Sequence, residues 1–152
     1  MDRSFGILLA AHGDLAHSLL RSLEMLMGPQ PSVETVGLFP GMGREEMRAA
    51  IEQKLAILAG CDGVVIVADL AGGTPANVAA ELVSERPDLH VVGGANLAFL
   101  CELCVCDGLD EAVIADAIKA GHIGLHDVGA KVRALLRQLP KHEPESSPEG
   151  DL

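Results

Sequence analysis

The sequence predicts an α/β fold: a three-layer sandwich on a mostly parallel sheet, with the flavodoxin-like strand order 2-1-3-4. Three observations point there. Short apolar runs alternate with longer stretches of helical spacing, as in βαβ units. Two of those runs, residues 5–11 (FGILLAA) and 64–68 (VVIVA), are apolar throughout and suit strands buried on both faces. Hydrophobic residues make up 49% of 152, yet Trp and Tyr are absent and only three Phe occur, so Ala, Val, Leu and Ile must build the core.

The first strand is residues 5–11, ending at His12-Gly13. Leu15, Leu19, Leu23 and Leu26 then recur at helical intervals, with Asp14 placed to cap that helix. Gly28-Pro29-Gln30-Pro31 breaks it, and residues 33–39 form a second strand ended by Pro40-Gly41. Residues 44–59 (REEMRAAIEQKLAILA) place Met47, Ile51, Leu55 and Leu58 on one helix face with charges opposite. Residues 64–68 are the central strand. Residues 69–77 (DLAGGTPAN) are a loop opening a third helix, with Thr74 as N-cap and Pro75 in the first turn, running to about Ser84. Residues 89–92 form a short fourth strand. Asn96 caps a helix from Leu97 to about Val105, and residues 110–120 form another, stopped at Gly121. Residues 123–128 are a candidate antiparallel fifth strand, and residues 130–139 have helical spacing. The domain is expected to span residues 1–139. Residues 140–152 (PKHEPESSPEGDL), rich in proline and acid, are expected to be a disordered tail or linker stump.

The formal charge is -11, and no cluster of Lys or Arg offsets it, which argues against nucleic-acid binding. No apolar run reaches the length of a membrane span and no basic region precedes the first one, so a cytoplasmic protein is expected. The four cysteines suit a reducing compartment. Cys101, Cys104 and Cys106 lack a fourth metal ligand at sensible spacing and are read as small core or interface residues. His122 and His126 sit in a glycine-containing stretch and, like His17, are read as surface histidines.

Order 2-1-3-4 makes the first and third strands neighbours, so His12 and Asp69 project from their carboxyl ends into one crevice, where open α/β sheets bind ligands. If Asp69 accepts a hydrogen bond from one ring nitrogen of His12, the tautomer is fixed and the other nitrogen becomes a more basic lone pair. No serine or cysteine stands beside it, so the imidazole itself is the candidate nucleophile. Gly72, Gly73 and Thr74 open a helix, whose N-terminal amides receive anions, and the Thr74 hydroxyl adds a donor. With Gly13 these residues form a candidate phosphate cradle. A nucleophilic histidine facing such a cradle reads as phosphoryl transfer. Neither GxxxxGK[ST] nor GxGxxG after the first strand occurs, which favours a phosphoprotein donor over ATP, with no metal and no cofactor.

AHG at residues 11–13, DLAGGTPAN at 69–77 and GANLAFL at 94–100 together resemble the enzyme IIA component of the mannose-class (mannose/fructose/sorbose/N-acetylgalactosamine) sugar phosphotransferase system, over residues 5–124. The resemblance implies that His12 accepts phosphate from the phosphocarrier HPr on its Nε2 and passes it to a IIB subunit. IIB then phosphorylates a sugar with the help of membrane IIC and IID subunits. It also implies that a hydroxyl at Thr74 supports the site. The third block carries Ala98 where the family often has proline. A homodimer is implied too, since members can exchange a final antiparallel strand, a place that residues 121–128 match loosely. A phosphorylation-dependent regulatory sensor and the phosphotransfer subunit of dihydroxyacetone kinase share enough of this chemistry to stand as alternatives. A flavin or nucleotide module is disfavoured by the lack of Trp and Tyr to stack on a ring.

Overall fold

The computed structural model describes residues 4–139. Ten elements follow in order: β1 (Gly6–His12), α1 (Leu15–Met27), β2 (Val33–Leu38), α2 (Arg44–Ile57), β3 (Val64–Ala68), α3 (Thr74–Val83), β4 (Leu89–Gly93), α4 (Leu97–Cys104), α5 (Glu111–Gly124) and α6 (Val128–Gln138). The sheet has the order β2-β1-β3-β4, with all three pairings parallel. The tail expected at residues 140–152 lies outside the described residues.

Side chains of a strand alternate between faces, and the two faces of this sheet divide the core. Ile7, Leu9, Ala11, Val65 and Val67 face Leu23 of α1, Phe99, Leu100 and Leu103 of α4, and Ala117 of α5. Leu8, Ala10, Val64 and Ile66 face Met47, Ile51 and Leu55 of α2 and Val78, Ala79 and Leu82 of α3. The aliphatic core and the three layers are those the apolar runs predict. No polar side chain is buried among the described residues. Surface ion pairs from α2 to α3 and the turn after it (Arg44 with Glu81, and Arg48 with Glu85 at 2.7 Å) ride over that packing and contribute little.

Several local expectations need correction. On α1 the inward stripe is Ala16, Leu19, Leu20 and Leu23, while Leu15 and Leu26 are exposed. Asp14 precedes α1 but makes no capping bond; its backbone (φ -86°, ψ 5°) is not the extended one that lets a side chain reach the first-turn amides. The N-cap of α3 is Gly73, extended at φ -71° and ψ 165°, and Thr74 is the first helical residue. Helix α5 runs through Gly121 to Gly124. A Cβ at Gly121 would meet Phe99 Cβ at 3.1 Å, so here glycine serves close helix packing and does not stop the helix. Residues 125–127 do not form a strand. Asp127 caps α6 by accepting from the Ala130 N–H at 2.8 Å, and His126 Nδ1 meets the Ile123 carbonyl at 3.0 Å, so this stretch is committed to a helix–helix turn. Asn96 caps α4 as expected, accepting from the Phe99 N–H at 3.0 Å.

Candidate functional site

The site is built where two strands stop together. Pairing of β1 with β3 ends at Ala10 opposite Ala68. Beyond that rung the link between the strand tips passes to a side chain: the Asp69 carboxylate accepts from the His12 backbone N–H at 2.9 Å. The same carboxylate lies 3.0 Å from His12 Nδ1 through Oδ2 and 3.3 Å through Oδ1. Its Oδ1 also accepts from the Leu70 N–H at 2.9 Å. Burial works to raise the Asp69 carboxyl, but the His12 backbone N–H, the His12 ring and the Leu70 N–H outweigh it and hold the group below the ordinary carboxylate range. An ionised carboxylate only accepts, so Nδ1 is the protonated nitrogen and Nε2 carries the lone pair. The His12 side chain is 48% exposed against 11% for Asp69, and Nε2 bonds to no group of the described residues. The imidazole is therefore held from behind and open in front.

The alternation Leu8, Ala10, His12 carries the ring toward the α3 side of the sheet. There it lies against Gly73, where a Cβ would stand 3.1 Å from His12 Cε1 and 3.2 Å from the Leu70 carbonyl oxygen. Glycine at 73 thus allows a close approach that a Cβ would crowd, while its backbone conformation is one that any residue adopts. Gly72 is different: its φ of +82° is the left-handed region that glycine adopts freely. Residues 70–73 close as a turn through the Gly73 N–H to the Leu70 carbonyl at 3.1 Å, and Asn77 Nδ2 donates to the Gly72 carbonyl at 2.9 Å. A Cβ at Gly93 would fall 2.8 Å from Ala71, so the end of β4 lets this turn lie across the sheet edge.

Of the amides around the ring, two are already spent: Gly13 donates to the Leu38 carbonyl at 2.8 Å, and Gly73 to Leu70. Those of Gly72, Thr74 and Ala76 donate to no group of the described residues, nor does the Thr74 hydroxyl. As Pro75 has no N–H, the anion-receiving donors at the start of α3 are these. Gly13, at φ +56°, shapes the exit from β1 and offers no free donor.

A cleft of about 350 Å³ opens beside Asp69, lined by Gly94, Ala95, Asn96, Ala98, Gly124 and Leu125. The cysteines are all partly buried, and Cys101, Cys104 and Cys106 pack against the core, in keeping with their reading as core residues. Burial, with Glu102, Asp107, Asp116 and Asp110 nearby, pushes the Cys106 thiol up and away from the nucleophilic thiolate. His17, His122 and His126 are exposed. No group of three or more metal-ligating side chains occurs among the described residues. Two contributors had no individual sequence signal, the Leu70 N–H and Asn77. Asn77's only trace was its place at the end of the DLAGGTPAN block.

A family model described as the PTS system fructose IIA component matches residues 6–120. The mannose-specific EIIAB component of the PTS system of Escherichia coli K12 is 30% identical over 131 residues, covering 84% of this chain. This chain spans only 41% of that relative's length. The sorbose-specific EIIA component of Klebsiella pneumoniae is 33% identical over 96 residues, 63% of this chain and 70% of its own. Among solved structures, the PTS IIA protein associated with the fucose utilization operon of Streptococcus pneumoniae superposes with a TM-score of 0.77 at 27% identity, covering 86% of this chain and 98% of that one. The mannose/sorbose-specific IIA subunit of Enterococcus faecalis gives 0.75 at 28%, covering 84% and 96%. A family model matching most of the chain, a relative at 30% identity and solved IIA structures of the same fold lead to one conclusion: this chain belongs to the IIA components of mannose-class sugar phosphotransferase systems (PTS).

Proposed function

We propose that this chain relays a phosphoryl group through His12, accepting it from HPr and passing it to a IIB subunit during sugar uptake. One arrangement carries the reading: the Asp69 carboxylate lies 3.0 Å from Nδ1, while Nε2 of the half-exposed ring, at the carboxyl edge of the sheet, bonds to no group of the described residues. In the forward step the Nε2 lone pair attacks phosphorus and forms an N–P bond. The bond from phosphorus to the donor's leaving atom breaks, and its electron pair departs with the donor. The Nδ1 proton stays in place, and the positive charge that develops on the ring is balanced by Asp69. The free amides of Gly72 and Thr74 and the Thr74 hydroxyl are suited to the phosphoryl oxygens. Transfer onward reverses these movements, the N–P bond breaking toward IIB. The imidazole needs neither a metal nor a cofactor for this chemistry.

The chain works in the cytoplasm in this reading, and the sugar is met only by IIB with the membrane IIC and IID subunits. No helix among the described residues is long and apolar enough to cross a membrane. A homodimer is part of the proposal, supported by an apolar row left in solvent at the C-terminal end: Leu125, Val128, Val132, Leu135, Leu136 and Leu139.

Incubation with phosphoenolpyruvate, enzyme I and HPr tests the relay. The wild type is expected to gain an acid-labile, base-stable phosphate and His12→Ala none. A wild type that stays unmodified, or a His12→Ala variant that is labelled equally, overturns it.

A further inference from the structure

We propose that Asn77 is a positioning residue for phosphoryl transfer, holding the turn of residues 70–74 against the His12 imidazole. The inference rests on the reading of His12 as the phosphoryl carrier.

Asn77 lies on the first turn of α3 with its side chain exposed, so the core does not need it. It bonds two successive carbonyls of the loop. Its backbone N–H donates to Gly73 and its Nδ2 to Gly72, each at 2.9 Å. The acceptor is a carbonyl, which settles the amide orientation, since only the NH₂ can face it. A peptide unit is planar, so each bond orients the N–H on the far side of the same plane. The backbone bond sets the plane that carries the Thr74 N–H, one of the free donors. The side-chain bond sets the plane between Gly72 and Gly73, two adjacent glycines, the residue type with the least intrinsic backbone restraint. Without Asn77 Nδ2 that plane keeps a single tie, the Gly73 N–H to Leu70 at 3.1 Å. Gly72 at φ +82°, third in the turn, marks a type II turn. The wall that would move is the one touching the ring, since the Cβ direction of Gly73 points at His12 Cε1. Asn77 makes no hydrogen bond to the imidazole; it acts through Gly72 and Gly73.

The test compares wild type, Asn77→Ala and Asn77→Gln with two phosphoryl donors. One is phosphorylated HPr. The other is phosphoramidate, a small donor that releases ammonia as the N–P bond to Nε2 forms. Alanine is a better helix former than asparagine, so Asn77→Ala is expected to keep the wild-type melting temperature. Its kcat is expected to fall about tenfold, the order of loss that follows misplaced reacting groups, with KM for HPr unchanged. The rate with phosphoramidate should fall in parallel, and Asn77→Gln, which restores the donor, should recover at least half of the loss. Wild-type kcat in Asn77→Ala overturns the proposal. So does a defect confined to KM or to the HPr reaction, which would make Asn77 a docking contact. A Gln variant as slow as the Ala variant also overturns it. A wild type inert to both donors would instead remove the His12 reading on which the inference stands.

Discussion

At the scale of single residues, the account depends on a carboxylate that stays ionised and a ring whose tautomer it dictates. Asp69→Asn removes the obligatory acceptor, and an amide can equally donate to Nδ1 and favour the wrong tautomer. Phosphoryl acceptance is expected to slow by roughly 10²–10⁴-fold while HPr binding persists, as measured by single-turnover labelling and titration. The acid side has a definite sign. The folded Asp69 pKa lies below its unfolded value, so its contribution to stability is fully present above the unfolded value of about 4 and is lost as pH falls through the folded one. Urea unfolding of wild type and Asp69→Asn should therefore show the wild type more stable at pH 7, with the gap closing below about pH 4. Gly73→Ala tests the close approach. Its φ of -71° suits alanine, so the backbone is not strained, yet the added methyl meets the ring at 3.1 Å. A fall of about tenfold in kcat with little change in melting temperature is expected. His12 and Asp69 were legible in the sequence because each directly follows an apolar strand run, and parallel pairing then brings the tips together. Asn77 was not legible, since its role depends on how the Gly-Gly turn closes. Thr74 was misplaced by one position because a close-packed glycine, not a capping hydroxyl, occupies the N-cap.

At the scale of elements, strands were easier to read than helix ends. Residues 64–68 declare a strand because every one of them is apolar, and all five are buried. The boundaries that failed did so where a glycine has two possible meanings. Gly121 reads as a helix stop, but its missing side chain lets α5 lie against Asn96 and Phe99, and the helix continues. The same crossing is pinned by Asn96, which accepts from Phe99 N–H and donates to the Gly121 carbonyl at 3.3 Å. Asn96→Ala is expected to destabilise the fold by about 1 kcal/mol, measured by chemical denaturation, through loss of the α4 cap. Residues 123–128 look strand-like by composition, but capping by Asp127 gives them a helix turn that local sequence did not announce.

At the scale of the molecule, the order 2-1-3-4 was legible because right-handed crossovers allow few arrangements of four parallel strands. What local patterns could not show is the fate of α6, which carries Lys131, Arg133 and Arg137, no acid, and no buried residue. If a second copy covers its apolar side, Leu135→Glu with Leu136→Glu should convert a dimer to a monomer in sedimentation velocity; a monomeric wild type would contradict the homodimer. The claim beneath all of this is topological. Two adjacent parallel strands end together, so one tip can aim the other's imidazole. The most direct measurement is NMR of the phosphorylated protein with ¹⁵N-labelled histidine. The account predicts phosphorus bonded to His12 Nε2 with Nδ1 still protonated against Asp69. Phosphorus on Nδ1, or on any other side chain, would contradict it.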